Sequence, residues 1–182
     1  MNSFKLIKFW IFDLDNTLYS GKKKVFEQVD KKMSEYISKK LNMDLKEAKK
    51  LQKNYFHKYN TTLNGLIKNH QVDPNEFLEF VHDINIEFLQ KDINLGNEIE
   101  KLDGLKIIFT NGSRKHALNV TRKLGIDRLF DDIFDIVDCK FIPKPLVEPY
   151  KKLVEKHKID PNLSVFVEDI ERNLKPAYEM GM

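Results

Sequence analysis

Asp13 and Asp15 are carboxylate residues one position apart, at the end of an apolar run that begins at Leu6. Side chains at i and i+2 leave an extended chain on the same side. Carboxylates are almost never fully buried without a cation or hydrogen-bond partners. The spacing therefore predicts a polar crevice at the carboxyl end of a strand, which is where open parallel sheets bind ligands. Taken alone, Asp-x-Asp is better explained as a turn followed by a helix cap.

Further strand ends downstream also carry polar groups. Apolar segments predict strands, and amphipathic segments between them predict helices. The strands are expected at 105–109, around 133–137 and at 163–167, and the helices roughly at 114–124, 146–157 and 171–180. This alternation predicts a parallel sheet covered on both faces. In such a sheet all strands point the same way, so the groups at their carboxyl ends should converge on one edge.

A long helical block separates the first two strands. Residues from about 20 to 95 are predicted to be wholly helical, and the last of these helices begins at Asp73-Pro74 with an apolar stripe that runs to Leu89. A simple crossover needs little more than a dozen residues. The block therefore predicts an inserted helical cap over 20–95, and a core made of 1–19 and 96–182.

The converging groups suit one kind of chemistry. They are a set of carboxylates, one hydroxyl and one ammonium: Asp13, Asp15, Thr110, Lys144, Glu168 and Asp169. Phosphoryl transfer needs the charge on the phosphate oxygens to be held and neutralised. Magnesium prefers oxygen ligands, lysine acts as a point charge on phosphate, and backbone amides near Gly112 and Ser113 could add donors. Each residue also has a plain alternative, such as a surface loop for Lys144 or helix-start acids for Glu168 and Asp169.

Four segments together resemble a known family. The segment Phe12-Asp13-Leu14-Asp15-Asn16-Thr17-Leu18-Tyr19 resembles the first motif of the haloacid dehalogenase-like hydrolases, and its ending resembles the pyrimidine 5′-nucleotidase branch. Phe109-Thr110-Asn111-Gly112 resembles the second motif, Lys144-Pro145 the third and Val167-Glu168-Asp169 the fourth. The resemblance implies an α/β, Rossmann-like parallel sheet core with an inserted all-helical cap. The final strand of relatives is apparently absent, so the strand ending at Val167 is expected at an open edge.

The resemblance also implies roles for the site residues. Asp13 would be the nucleophile, Asp15 the general acid and base, and Lys144 the cation that pairs with Asp13 and the phosphate. Mg²⁺ would be held by the Asp13 carboxylate, the Asp15 carbonyl and Asp169, with Glu168 binding directly or through water. The phosphoryl group would be contacted at Thr110, Asn111 and Gly112.

The implied activity is hydrolysis of a small phosphate ester, with a pyrimidine nucleoside 5′-monophosphate as the expected substrate. Two alternatives stay open. One is a phosphatase of another small phosphate ester, because the cap chooses the leaving group. The other is a truncated, inactive relative that serves as a binding module.

The amino-acid composition indicates which partners and cellular compartments to expect. The 182 residues include 31 basic and 28 acidic side chains, so the net charge of +3 demands no nucleic-acid partner. Cys139 is the one cysteine of this sequence, which excludes an internal disulfide and favours a reducing compartment. Without an apolar run long enough to cross a membrane, we expect a cytoplasmic protein, monomeric or homodimeric. The five histidines show no paired metal spacing, and each is expected to be structural or solvated.

Overall fold

A computed structural model describes residues 6–182 of the chain. Its described strands form one sheet in the order β3-β2-β1-β4, and each neighbouring pair is parallel. The strands are β1 (Phe9–Phe12), β2 (Leu105–Phe109), β3 (Asp132–Phe134) and β4 (Ser164–Val167). The predicted α/β fold with a parallel sheet is therefore confirmed. Among these strands β4 pairs with β1 alone, so it lies at an edge.

The order of the strands creates a crevice beside β1. The chain adds β2 and then β3 on one side of β1, and β4 then pairs on the opposite side. Such a reversal is the place where open α/β sheets bind ligands, just beyond the carboxyl ends of the strands. Phe12 pairs with Val167, so the residues that follow β1 and β4 leave the sheet side by side.

Burial explains why these segments are strands and why helices follow them. The three residues Ile107, Ile108 and Phe109 are consecutive and buried, which is typical of a strand covered on both faces. The helices of this part are α5 (Ile93–Glu100), α6 (Arg114–Leu124), α7 (Val147–His157) and α8 (Glu171–Glu179). Helix α6 begins where the Ser113 side chain accepts a hydrogen bond from the His116 amide, and it ends at Gly125 in the left-handed conformation.

The described chain forms two compact units. One contains the sheet and comprises residues up to Lys23 together with Ile86–Met182, and the other is the helical unit Lys24–Asn85. The predicted division into 1–19 with 96–182 and 20–95 stays a prediction, and its residues 1–5 lie outside the described part. No helix within residues 6–182 has both the length and the apolar character needed to span a membrane.

The helical unit contains α1 (Val25–Leu41), α2 (Leu45–Tyr59), α3 (Thr62–His70) and α4 (Pro74–Val81). Three of its helices begin at a side chain that accepts backbone N–H groups: Asp44, Thr61 and Asp73. Helices α2 and α3 pack closely at Gly65, where a Cβ atom would lie 2.4 Å from Cγ of Tyr55. Only glycine fits there.

The predicted helix that starts at Asp73 and runs to Leu89 is wrong beyond Val81. After the helix, the backbone of Asn85 is held by a side chain of α1. Gln28 Nε2 donates to the Asn85 carbonyl at 2.8 Å, and the Asn85 amide donates to Gln28 Oε1 at 3.1 Å. This pairing between distant residues replaces helical hydrogen bonds. Helix α5 begins a few residues later, capped by Asp92, and the sequence analysis does not predict it.

The predicted strand around 133–137 is also too long. Strand β3 ends at Phe134, and the buried Asp135 carboxylate then organises a turn. It accepts hydrogen bonds from the amides of Val137 at 3.0 Å, Asp138 at 2.9 Å and Arg114 at 2.7 Å. A buried carboxylate with three N–H donors is well satisfied. These hydrogen bonds stabilise a turn in place of the extended strand that was predicted beyond Phe134.

Candidate active site

Lys144 lies at the centre of the residues that follow β1, β2 and β4. Its side chain is 1% exposed, and its Nζ atom donates to Asp13 Oδ1, Glu168 Oε2 and the carbonyl of Phe109 at 2.7, 2.7 and 2.8 Å. All three N–H donors of the ammonium are therefore used. Sequence analysis predicts the pair with Asp13, whereas the pair with Glu168 emerges from the structure.

Two carboxylates compete for this one ammonium, and the competition affects Asp13. The pKa of Asp13 is raised to about 7, chiefly by burial; the Lys144 charge opposes the rise, and the charges of Glu168 and Asp15 add to it. Burial disfavours the ammonium form of Lys144, but Asp13 and Glu168 outweigh it and raise the Lys144 pKa. The lysine therefore stays charged, while the acidic side of the site carries surplus negative charge.

Asp15 lies in the loop after Asp13 and has different partners. Its Oδ1 atom accepts a hydrogen bond from the Tyr19 hydroxyl at 2.6 Å, and it lies 2.8 Å from Nε2 of His116. Burial, followed by the charge of Asp15, raises the Tyr19 pKa above its usual value, so this hydroxyl keeps its proton and donates. The two predicted catalytic aspartates are thus held by separate sets of groups.

The segment Thr110-Asn111-Gly112 follows β2 at the same edge of the sheet. Thr110 is buried, and its hydroxyl oxygen accepts a hydrogen bond from the Gly112 amide at 2.9 Å. The Asn111 carboxamide makes two bonds to the backbone of Lys144: its Oδ1 accepts from the amide at 2.8 Å and its Nδ2 donates to the carbonyl at 3.3 Å. Asn111 therefore holds the loop that carries Lys144, and its predicted contact with a phosphoryl group stays a prediction.

Glu168 and Asp169 follow β4 and face the loop after β1. Glu168 Oε2 also accepts from Asn173 Nδ2 at 3.0 Å, and Glu168 Oε1 accepts from the Ile170 amide at 3.1 Å. Asp169 Oδ1 accepts a hydrogen bond from Thr17 at 3.4 Å. Burial and the neighbouring Glu168 raise the pKa of Asp169.

Three of these carboxylates could hold a metal ion. One oxygen from each of Asp13, Glu168 and Asp169 lies within 4.8 Å of the others. Three carboxylate groups facing one another match the preference of Mg²⁺ for hard oxygen ligands. The donor set therefore fits the predicted ion.

Sequence analysis missed three residues of this site. His116 and Tyr19 contact Asp15, and Asn173 contacts Glu168. His116 was expected to be structural or solvated, because no metal spacing marks it. His116 could have been found from its position in the chain, because a helix that starts directly after the polar end of β2 places its first turn beside the site.

A parallel α/β sheet with acidic groups and a buried lysine at its switch point defines a class of hydrolase. The haloacid dehalogenase-like hydrolase family model matches residues 7–181. The chain therefore belongs to the haloacid dehalogenase-like hydrolases.

Two characterised proteins are similar to most of the chain. Phosphate metabolism protein 8 of Saccharomyces cerevisiae is 31% identical over 96% of this chain, which spans 60% of the length of that yeast protein. Glyceraldehyde 3-phosphate phosphatase of Methanocaldococcus jannaschii is 27% identical over 97% of this chain and 83% of its own length.

Solved structures share the fold. A haloacid dehalogenase-like hydrolase from Bacillus subtilis, solved with magnesium, has a TM-score of 0.63 at 16% identity, over 97% of this chain and 86% of that one. The L-2-haloacid dehalogenase of Xanthobacter autotrophicus, solved with chloropropionic acid covalently bound, has a TM-score of 0.59 at 15% identity, over 97% and 75%. These likenesses support the Rossmann-like core.

Proposed function

We propose that this protein is a magnesium-dependent phosphomonoester hydrolase that works through an aspartyl-phosphate on Asp13. The supporting observation is the Lys144 ammonium, which bonds to Asp13 and Glu168 while an oxygen of Asp169 lies within 4.8 Å of theirs. This arrangement supports a role for Asp13 as the nucleophile, for Lys144 as the cation that meets the phosphate, and for the carboxylates as ligands of a hard metal ion. The archaeal relative named as a phosphatase supports the same class of reaction.

In the first step an oxygen of Asp13 attacks phosphorus and the bond from phosphorus to the ester oxygen breaks. Asp15, in its protonated form, gives its proton to the leaving alkoxide. Lys144 stays charged beside Asp13 and offsets the repulsion between the nucleophile and an anionic substrate. Thr110 and the backbone amides near Gly112 would hold the phosphoryl oxygens.

In the second step water attacks the aspartyl-phosphate. Asp15, now a carboxylate, takes a proton from the water, and the bond between phosphorus and Asp13 breaks. Inorganic phosphate leaves and both aspartates return to their starting forms. Covalent catalysis thus divides one displacement into two easier ones.

Mg²⁺ would bind the carboxylates of Asp13 and Asp169 with the Asp15 carbonyl, and Glu168 would bind it directly or through water. When bound, it supplies positive charge that stabilises the transferring phosphoryl group. Glu168 already accepts hydrogen bonds from Lys144, Asn173 and the Ile170 amide. The role that these contacts support best for Glu168 is to orient Lys144.

Pyrimidine nucleoside 5′-monophosphates are the substrates we propose, on the likeness of the Asn16-Thr17-Leu18-Tyr19 segment to that branch. A specific observation favours a second candidate. The archaeal relative is a glyceraldehyde 3-phosphate phosphatase, which makes a triose phosphate or another small sugar phosphate the alternative. A cytoplasmic location, a monomeric or homodimeric state and the absence of a nucleic-acid partner stay predictions.

The test is phosphate release from a panel of monophosphates, with magnesium and with a chelator. Uridine and cytidine monophosphates are compared with glyceraldehyde 3-phosphate, hexose phosphates and an aryl phosphate. Asp13→Asn should abolish steady-state turnover, because an amide is not a nucleophile for phosphorus. Asp30→Asn, in the helical unit, is the matched control and should turn over normally.

Each outcome decides a separate part of the proposal. Release that needs magnesium and Asp13, and that is fastest with pyrimidine nucleotides, supports the full proposal. Faster release from sugar phosphates moves the substrate to the alternative. Turnover retained in Asp13→Asn rejects the nucleophile, and no release from any ester favours the binding module.

A further inference from the structure

Two polar groups from different parts of the sheet unit converge on one oxygen of Asp15. The Tyr19 hydroxyl lies 2.6 Å from Asp15 Oδ1, and Nε2 of His116, at the start of α6, lies 2.8 Å from the same atom. The His116 side chain is 2% exposed and the Asp15 side chain 16% exposed. A carboxylate whose Oδ1 atom is held by two partners loses rotational freedom, and so its second oxygen takes a defined direction.

That second oxygen faces the segment proposed to bind the phosphoryl group. A Cβ atom built on Gly112 would lie 3.7 Å from Asp15 Oδ2, 3.3 Å from Thr110 Oγ1 and 3.5 Å from His116 Cδ2. Oδ2 therefore lies on the side of Asp15 where Thr110 and Gly112 meet.

We propose that His116 and Tyr19 are positioning residues that fix Oδ1 of Asp15 and thereby assign proton transfer to Oδ2. This inference rests on the proposed phosphatase function. An Oδ1 atom without a proton can only accept hydrogen bonds, so His116 donates to it with a proton on Nε2. The proton that Asp15 gives to the leaving group and later takes from water is then carried by Oδ2.

A positioning role predicts different effects on alkyl and aryl phosphate esters, whereas a purely structural role predicts equal effects on both. An alkyl phosphate needs protonation of its leaving alkoxide, whereas p-nitrophenyl phosphate releases a stable anion that needs little help. Loss of Asp15 orientation should therefore harm alkyl esters selectively. The value of kcat/KM reports the steps up to formation of the aspartyl-phosphate, so the ratio of kcat/KM for the two esters isolates this effect.

The variants are chosen to separate the donor from the packing. His116→Phe keeps a ring and removes the donor, and Tyr19→Phe removes one oxygen atom. His116→Gln is the conservative variant, since its side-chain amide can donate from a similar place. Thr121→Val is the matched control, because Thr121 is fully buried on the same helix and its hydroxyl donates to backbone carbonyls of α6.

We expect His116→Phe and Tyr19→Phe each to lower the alkyl-to-aryl ratio by about tenfold, a part of the 10²–10⁴-fold contribution usual for a general acid. His116→Gln should restore most of the ratio, and Thr121→Val should leave it unchanged. Nitrogen-15 NMR of the imidazole gives a readout without turnover. It should show His116 protonated on Nε2, with a resonance that shifts in Asp15→Asn.

The outcomes separate this inference from the proposed function. If the wild-type protein hydrolyses both esters and Asp15→Asn lowers the ratio, but His116→Phe and Tyr19→Phe change both esters equally, the positioning role is overturned. An imidazole unprotonated on Nε2 also overturns it. If the wild-type protein hydrolyses neither ester, the proposed function fails, and the positioning role fails with it.

Discussion

The two units of the chain treat a partly or fully buried aspartate in opposite ways. In the helical unit, Asp30 on α1 accepts hydrogen bonds from Lys49, Lys53 and Gln52 on α2. Burial opposes its ionisation, but the hydrogen bonds and charges of the two lysines outweigh burial and lower its pKa. In the sheet unit, Asp13 shares one lysine with Glu168, and burial raises its pKa to about 7.

The difference shows where unfavourable electrostatic interactions are concentrated in the chain. Asp30 pairs with two lysines, so its negative charge is balanced without a bound ligand. Among the described contacts, Asp13 and Glu168 share one ammonium, whereas Asp15 bonds to Tyr19 and His116. Raised pKa values such as those of Asp13 and Asp169 are typical of functional sites, where a metal or substrate completes the charge balance.

Removing Lys144 should have the largest effect. Lys144→Met leaves Asp13 and Glu168 buried without their shared cation, and breaking a buried pair in this way costs about 3–5 kcal/mol. The free energy of unfolding, measured by urea titration in a chelator, tests this, and phosphate release should also be lost. Lys53→Met is the control, because Asp30 keeps Lys49, and its cost should be about 1 kcal/mol or less. Equal costs for the two variants would contradict the comparison.

Removing the charge of Asp30 should have an intermediate effect. Asp30→Asn weakens hydrogen bonds to two lysines, and bonds to charged groups are worth about 1.5–3 kcal/mol. Urea unfolding measures the loss, and phosphate release should not change. The matched control is Asp83→Asn, which breaks an exposed pair with Lys32 and should cost about 0–1 kcal/mol. A larger loss at Asp83 than at Asp30 would contradict this.

The smallest expected effect is on the pH dependence of stability, and it concerns a histidine of the sheet unit. His157 on α7 lies 3.3 Å from Asp132 and near Lys156, Asp138 and Arg114, and burial lowers its pKa below 6.5. Below pH 6.5 the unfolded chain therefore takes up a proton at His157 that the folded chain does not, so the contribution of His157 to stability falls as the pH drops from 6.5. The raised pKa of Asp13 acts in the opposite direction over this range, but it is common to the wild type and the variant.

The measurement is the free energy of unfolding at several pH values. Relative to His157→Gln, the wild-type protein should lose stability as the pH falls from 7 to 5. The fall below pH 4 should persist, because the lowered pKa of Asp30 makes its contribution full above 3.8 and lost as the pH falls through its folded value. An unchanged slope between pH 7 and 5 would show that His157 charges equally in both states.

The amino-acid sequence by itself determined the strands and the residues at their ends. Asp13, Thr110 and Glu168 each follow an apolar run, and the alternation of strands with helices makes those runs parallel. Parallel strands bring their carboxyl ends to one edge, so these residues could be placed together from local pattern alone. The order of the motifs also identified the family, which the family model confirms over residues 7–181.

Only the tertiary structure decided which groups touch. Lys144 bonds to Glu168, His116 lies beside Asp15 although 101 positions separate them, and Gln28 ends the predicted continuation of α4 through Asn85. The Asp135 turn likewise depends on the Arg114 amide. Local periodicity reports which face of a segment is buried, but it carries no information about which distant donor will meet a given acceptor. That choice is made when the elements pack, because each buried polar group must find its partner within hydrogen-bond distance.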